Sequence, residues 1–183
     1  MGEFLSDDLI LVICRNGDFF TTNFDLSNHY EDNILIIEKF DSSKVWTAAL
    51  WDADQKYNYL KRFQLESSSR KQNFLGENTE SRLLLLTDEA YPRIEVIFGG
   101  HDSFRETLVL DAEEFISVKG FKAKGKRIST YEVETVNELE PVRFAQESKN
   151  ISETVEEDEE NLEDKSNTDI LDEITGQMKL FDE

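Results

Sequence analysis

A repeat of about 35 residues organises the first 143 residues of this 183-residue chain. Apolar runs begin near four anchor residues, Leu9, Val45, Leu83 and Ile116, which are 36, 38 and 33 residues apart. Each run is followed by a turn sequence and a second strand candidate, so each unit predicts a pair of strands. Repeated short strands of this kind predict an all-β domain built from bladed sheets, because each sheet must bury a face against its neighbours.

Local patterns support strands within these units. The pair Asn16-Gly17 lies between two apolar runs, which is typical of a tight hairpin turn. Residues 57–65 and residues 93–98 alternate in side-chain type, which predicts strands with two distinct faces. Residues 115–118 are the predicted first strand of the fourth unit.

Charge divides the chain into two parts. The 40 acidic and 20 basic residues give a net charge of −20, which excludes a chain that is basic throughout and coats nucleic acid non-specifically. Residues 1–143 contain 26 acidic and 17 basic residues, a net charge of −9. Residues 144–183 contain 14 acidic and 3 basic residues, a net charge of −11. We therefore assign a globular domain to residues 1–143.

The acidic tail has two predicted parts. Residues 144–168 cannot bury enough apolar surface to offset their ordering entropy and charge repulsion, so they are predicted to be a disordered acidic linker. Residues 169–183 form a short amphipathic segment, with apolar residues at helical spacing. These residues are Ile170, Leu171, Ile174, Met178 and Phe181. A weak helix that docks on its own domain is an equally good interpretation.

Targeting signals and disulfides are not expected. The single cysteine, Cys14, excludes a disulfide framework and a multi-cysteine metal site. The N-terminal residues are acidic, and no apolar run approaches the length of a membrane span. The expectation is a cytoplasmic protein with no membrane partner.

The densest positive charge in the chain lies in the fourth unit. Five cations occur within nine residues, namely Lys119, Lys122, Lys124, Lys126 and Arg127. Lysines on one loop can converge on phosphates, although an ordinary solvated turn has the same composition. A looser group of four cations is expected to serve surface solubility, and it comprises Lys61, Arg62, Arg70 and Lys71. Arg82, Arg93 and Arg105 are too scattered in the sequence for a role to be assigned.

No residue set in the sequence proposes a catalytic or metal site. The two histidines, His29 and His101, have no nucleophile or ligand set near them in sequence. Asp52 and Asp54 resemble a cation site, but an acidic turn between strands is the simpler interpretation. We therefore expect no catalytic residues, no metal and no cofactor in this chain.

The fourth unit carries a family resemblance. Residues 115–131, running into residues 132–141, resemble the terminal blade of the C-terminal domain of the A subunit of bacterial DNA topoisomerase IV, which is a type IIA topoisomerase. The related domain of the gyrase A subunit contains a Gln-Arg-Arg-Gly-Gly-Lys-Gly box that has no match here. The nearest stretch, residues 122–127, is basic but differently ordered, which favours the topoisomerase IV type. The four units are fewer blades than is usual in that family.

The resemblance implies a fold and a function. The fold would be a β-pinwheel, a propeller-like disc of about four blades that exchange strands, and its basic rim would bind or bend duplex DNA. The catalytic residues, ATP and Mg²⁺ would belong to other parts of an A2B2 holoenzyme, formed with the ATPase B subunit, that relaxes and decatenates DNA at the nucleoid. The alternative from another class is a bladed protein-interaction scaffold with an acidic tail and no DNA binding.

A second short resemblance lies at the C-terminus. Residues 177–181 resemble the Gln-x-x-Leu-Phe peptide by which bacterial replication proteins bind the sliding clamp of DNA polymerase III, and Gln177, Leu180 and Phe181 would be its anchors. A five-residue match of this kind also occurs by chance. The sliding clamp is therefore a further expected partner that rests on this peptide alone.

Overall fold

The first hairpin forms around the Asn16-Gly17 turn. The computed structural model describes residues 5, 7–25, 28–30 and 32–143. In it, β1 (Ile10–Cys14) and β2 (Asp18–Thr22) pair antiparallel. Gly17 has a φ of +81°, a conformation that glycine adopts without the strain a β-carbon would cause. The hairpin prediction is confirmed.

Two further strands complete this first sheet. β3 (Ile34–Lys39) pairs antiparallel with β1, and the short β6 (Gln72–Asn73) pairs antiparallel with β2. The strand order is β3-β1-β2-β6. The last strand of the sheet therefore comes from a distant part of the chain, beyond the second predicted unit's hairpin.

The second sheet is built around another predicted hairpin. β4 (Val45–Asp52) and β5 (Tyr57–Gln64) pair antiparallel along their whole length. β7 (Arg82–Thr87) pairs with the other edge of β4. The free edge of β5 is covered by two short strands, β10 (Val118–Gly120), which is parallel to it, and β11 (Lys126–Arg127), which is antiparallel.

The third sheet has three strands. β8 (Arg93–Phe98) lies between β9 (Leu108–Asp111) and β12 (Val133–Leu139), and both pairings are antiparallel. A 3-10 turn (Gly100–Asp102) follows β8, and the short helix α1 (Ala112–Phe115) follows β9. Among the described residues α1 is the only α-helix, so the prediction of an all-β class is met at that level.

The helix α1 overturns the strand predicted for residues 115–118. The Asp111 carboxylate accepts hydrogen bonds from the backbone N–H groups of Glu113 and Glu114, and this cap starts a helical turn at Ala112. Only Val118 of the predicted strand lies in a strand, at the start of β10. A capping aspartate therefore outweighed the apolar pattern at this position.

Strands are exchanged between the predicted units. The third unit's two strands do not pair with each other, since β7 joins β4 in the second sheet while β8 joins β9 and β12 in the third. The fourth unit supplies β10 and β11 to β5 of the second unit. In the described residues, four sequence units therefore yield three sheets. Exchange covers strand edges whose backbone N–H and C=O groups would otherwise lack partners.

The second sheet lies between two hydrophobic cores. One core contains Phe19, Trp46 and Phe63, and the other contains Leu60 and Ile94. Successive residues of β5 thus point into different cores, and β5 is buried from Asn58 to Phe63 on both faces. The alternation of residues 57–65 correctly predicted a strand, and packing buries both of its faces.

Candidate nucleic-acid interface

The basic segment predicted from sequence lies along one edge of β5. Its first part, β10, runs parallel to β5 with Val118 opposite Arg62, and its second part, β11, returns with Lys126 opposite Leu60. The backbone N–H of Ile128 then donates to the carbonyl of Asn58 at 2.9 Å. We call residues 118–127 the basic hairpin, in which the two short strands both pair with the same edge of β5. Lys119, Lys126 and Arg127 are in strands that the sheet holds, and Lys122 and Lys124 lie on the loop that connects these two strands.

Two contacts, one apolar and one polar, anchor the tip of the basic hairpin. The Phe121 side chain is buried and packs edge-on against the Phe19 ring, with 5.0 Å between centroids. The Lys61 Nζ donates hydrogen bonds to the carbonyl oxygens of Phe121, at 2.5 Å, and Phe74, at 2.7 Å. Burial lowers the pKa of Lys61 to about 8 from its ordinary 10.5.

A glycine allows the basic hairpin to approach β5 closely. Gly125 has a φ of +92°, and a β-carbon placed there would lie 2.6 Å from the Leu60 carbonyl oxygen. Both the backbone conformation and the space therefore require glycine. The lysines on either side of Gly125 are brought against the sheet edge as a result.

All five predicted cations are exposed at the surface. Lys124 Nζ lies 3.6 Å from Asp52 Oδ2, and half of the lysine side chain stays exposed. The others carry no salt bridge to a described residue. The Lys124–Asp52 pair is long and its lysine is half-exposed, so the charges of all five cations remain accessible to a ligand.

The five cations do not converge on a single groove. Lys122 and Lys124 line a groove of about 550 Å³ together with Lys71, which sequence had placed in a separate, looser group. Lys126 does not line this groove, and its Nζ lies 4.2 Å from the Phe115 ring centroid and donates to the Phe115 carbonyl at 3.2 Å. Arg127 Cζ lies 4.4 Å from the Tyr57 ring centroid. The basic hairpin thus presents charge along an edge.

The surface role expected for Lys61 and Arg62 is wrong. Both are in β5, and their side chains are 4 % and 7 % exposed because the strand lies between two cores. Lys61 shares one face of β5 with Tyr59 and Phe63, which are also buried, so the parity of its position was the available signal. Arg70 and Lys71, in contrast, are exposed as expected.

The acidic turn at Asp52 and Asp54 is used structurally. Asp52 Oδ1 accepts from the backbone N–H groups of Asp54 and Gln55, each at 2.9 Å. Asp54 Oδ1 accepts from the Asn78 amide at 2.6 Å. In the part of the chain that the structure describes, no three His, Cys, Asp or Glu side chains are grouped to hold a metal ion. The turn interpretation therefore accounts for both carboxylates.

Several predicted features lie outside the part of the chain that the structure describes. The acidic linker 144–168, the segment 169–183 and the clamp-peptide residues Gln177, Leu180 and Phe181 lie outside the described residues. Within the described ranges, no helix is long and apolar enough to cross a membrane.

Comparison with known protein families assigns residues 1–140 to a family. The sequence model of the family described as topoisomerase C-terminal domain, Bacteroidota, matches residues 1–140. No curated protein matches the chain. The matched region covers the three sheets and the whole basic hairpin, and it is more than half of the chain. This chain belongs to the topoisomerase C-terminal domain family.

Proposed function

We propose that this chain is the non-catalytic DNA-binding domain of a type IIA topoisomerase, namely of the A subunit of a topoisomerase IV. The observation that carries the proposal is the basic hairpin. It holds five exposed cations in nine residues on a sheet edge, in a part of the chain with a net charge of −9. A local row of exposed cations along a sheet edge and its adjoining loop is suited to the phosphates of duplex DNA.

In the proposed mechanism, the basic hairpin positions duplex DNA and performs no chemistry. Lysine contacts to phosphates carry no sequence information, so the basic hairpin would hold any duplex segment. The family membership of residues 1–140 supports a topoisomerase as the context. The held duplex would be presented for strand passage, relaxation and decatenation to an ATP-driven gate formed by the rest of the A subunit and by the B subunit. ATP and Mg²⁺ would act in those other domains.

A β-pinwheel is the fold that we propose for the family context. Its support is the exchange of strands, since β10 and β11 of the fourth unit extend the sheet of the second unit. The packing of the second sheet between two cores also agrees with stacked blades. The number of blades and the closure of the disc belong to this proposal.

Charge reversal in the basic hairpin tests the DNA-binding role. Lys122, Lys124, Lys126 and Arg127 are replaced together by glutamate, and binding to a labelled duplex is followed by fluorescence anisotropy across a salt series. We expect a loss of affinity of at least about 100-fold, and a salt slope that is about three to four units flatter on a log–log plot. An unchanged affinity would refute the role of the hairpin.

A matched control separates the effect of charge reversal in the basic hairpin from the effect of a change in net charge. The double variant Lys122→Glu, Arg127→Glu changes net charge by the same amount as Arg15→Glu, Arg70→Glu. Arg15 and Arg70 are exposed and lie outside the basic hairpin. The hairpin pair is expected to weaken duplex binding much more than the control pair, because local contacts outweigh screened long-range charge.

The same assay addresses the protein-interaction scaffold. Duplex binding is measured with the full chain and with residues 1–143. Stronger binding by residues 1–143 would support a DNA-binding domain whose acidic tail competes with phosphate. Absence of binding by both would support the scaffold. Association with the nucleoid follows from DNA binding and is part of the same proposal.

A further inference from the structure

A second groove lies beside the basic hairpin and has no role in the function proposed above. Its volume is about 640 Å³. One wall is the turn end of the β4–β5 hairpin with the start of β7, and the other is formed by residues 101–102 and 130–134. Trp51, Tyr57 and Tyr131 line it, and the two tyrosines are 36 % and 42 % exposed. We call this the aromatic groove.

Each ring in the aromatic groove carries an arginine. The guanidinium carbons of Arg82, Arg127 and Arg105 lie 5.6 Å, 4.4 Å and 3.3 Å from the ring centroids of Trp51, Tyr57 and Tyr131, respectively. Two of these arginines were too scattered in sequence to be given a role. The fold brings them together because β7 begins at this groove, and the β8–β9 connection and the segment that follows the basic hairpin both pass beside it.

Aromatic rings interleaved with arginines suit unpaired nucleotides. Every base has a flat π-face that stacks on an aromatic ring or on a guanidinium plane, whereas bases in a duplex are already stacked. An arginine held flat on a ring also presents N–H donors to a neighbouring phosphate. The aromatic groove therefore offers stacking surfaces and phosphate donors side by side.

The charge of the aromatic groove differs from that of the basic hairpin. Three carboxylates line it, those of Asp102, Glu132 and Glu134. Asp102 Oδ1 pairs with Arg105 Nε at 2.7 Å, and its Oδ2 accepts from the backbone N–H of Glu132 at 3.0 Å. Lys56 and Arg82 line the groove as well, while Arg105 and Arg127 contact its rings without lining it, so positive and negative charges nearly balance there. Binding there must come mainly from stacking, which favours a single strand over a duplex.

We propose that the aromatic groove binds single-stranded DNA, with bases stacked on Trp51, Tyr57 and Tyr131. This inference rests on the proposed function, because the unpaired strand would come from the DNA held at the basic hairpin. Arg127 connects the two surfaces, since it belongs to the hairpin and covers the Tyr57 ring. The domain would thus hold duplex at one surface and capture unpaired bases at the next.

Tryptophan fluorescence of the full chain gives a direct readout. The chain has two tryptophans, and Trp46 is 1 % exposed in the core, so a base that stacks in the groove reports on Trp51. We expect oligothymidine to quench this fluorescence and a duplex to quench it little. Between about 50 and 200 mM salt, two phosphate contacts predict about a sevenfold loss of single-strand affinity, against about 150-fold for four contacts to duplex.

Variants locate the binding. Tyr57→Leu with Tyr131→Leu is expected to lower oligothymidine affinity at least about tenfold, because both rings are partly exposed and lie outside the cores. Duplex affinity is expected to fall much less, because Tyr57 contacts only one cation of the basic hairpin, Arg127. Phe24→Leu, at a 63 % exposed ring outside the groove lining, is the matched control and should change neither. A tyrosine double variant that retains full oligothymidine affinity would overturn the inference.

A third variant separates this inference from the proposed function. Lys122→Glu, Lys124→Glu, Lys126→Glu spares Arg127 and is expected to weaken duplex binding while the quenching by oligothymidine persists. Duplex binding without any quenching by oligothymidine would overturn the inference and leave the proposed function intact. Quenching without duplex binding would support the groove and contradict the hairpin. Equal loss of both in the triple variant would place the single strand on the hairpin and overturn the inference.

Discussion

The Lys61 ammonium nitrogen lies 2.5 Å from the Phe121 carbonyl oxygen and ties β5 to the tip of the basic hairpin. The same nitrogen bonds the Phe74 carbonyl at 2.7 Å, so one buried side chain joins three segments. A neutral amine has two N–H donors, which is enough for both carbonyls. The two hydrogen bonds therefore do not require Lys61 to be charged, and burial of its charged form destabilises the folded state.

Domain stability is expected to rise with pH because of Lys61. Burial lowers its pKa to about 8 in the folded state, against 10.5 in the unfolded chain. Between these values only the unfolded state binds the proton, so the free energy of unfolding increases with pH by up to about 3 kcal/mol. Urea unfolding from pH 8 to pH 10.5 measures this, with Lys61→Met as the variant in which this increment is absent.

A second measurement covers the case in which Lys61→Met does not fold. NMR of the intact chain with labelled lysine side chains follows each ammonium through its titration. The Lys61 ammonium is expected to titrate with a pKa of about 8. If no lysine titrates near pH 8, the assigned cost of burial is wrong.

Gly125→Ala is expected to destabilise the domain by about 1–3 kcal/mol, because it combines a φ of +92° with a contact to the Leu60 carbonyl oxygen. Gly120→Ala, in the same hairpin, meets no heavy atom within 4 Å and should change stability by less than about 1 kcal/mol. Chemical denaturation of both variants checks the pair. Equal effects would contradict the close approach at Gly125.

Phe121→Ala is expected to cost about 3–5 kcal/mol, because the ring is buried against Phe19 and its loss leaves a cavity. Hydrogen exchange at the Ile128 amide, which bonds Asn58, should also become faster as the hairpin loosens. Phe104→Ala, at a ring that is 78 % exposed, should change stability by about 0.5 kcal/mol or less. A stable Phe121→Ala protein with unchanged exchange would show that the tip is not anchored by this ring.

Binding of the C-terminal peptide to the sliding clamp stays a prediction. Residues 177–181 match the Gln-x-x-Leu-Phe pattern, and the anchors Leu180 and Phe181 would fill an apolar pocket. Isothermal titration calorimetry of a peptide covering residues 169–183 against purified clamp checks it. We expect heat for the native peptide and none for Leu180→Ala, Phe181→Ala. Absence of heat with the native peptide would contradict the prediction that it binds the clamp.

Local sequence signals predicted those parts of the fold that depend on neighbours in the chain. Asn16-Gly17 predicted the β1–β2 hairpin, and alternation predicted β8, whose residues are buried in strict alternation. The prediction failed at residues 115–118, where Asp111 caps a helix before the strand begins. An apolar run of this length does not distinguish strand from helix, and the cap decided the outcome.

Pairing between distant strands was beyond the reach of these signals. Nothing local to β10 or β11 specifies that they add to β5, and nothing local to β7 separates it from β8. Such pairings are selected by the edges and cores that remain open when the chain collapses. For the same reason Lys61 and Arg62 read as surface residues although they lie in a strand between two cores.

From its sequence alone, this chain could be assigned β-rich repeats, an uneven charge and one dense basic segment, because composition and short-range periodicity depend only on nearby residues. The tertiary structure decided that Gly125 allows this segment to approach β5 closely and that Lys61 is buried beneath it. It also decided that Arg82, Arg105 and Arg127 lie around one groove. These relationships join residues far apart in sequence. They form only when several strand edges and two cores are satisfied at once.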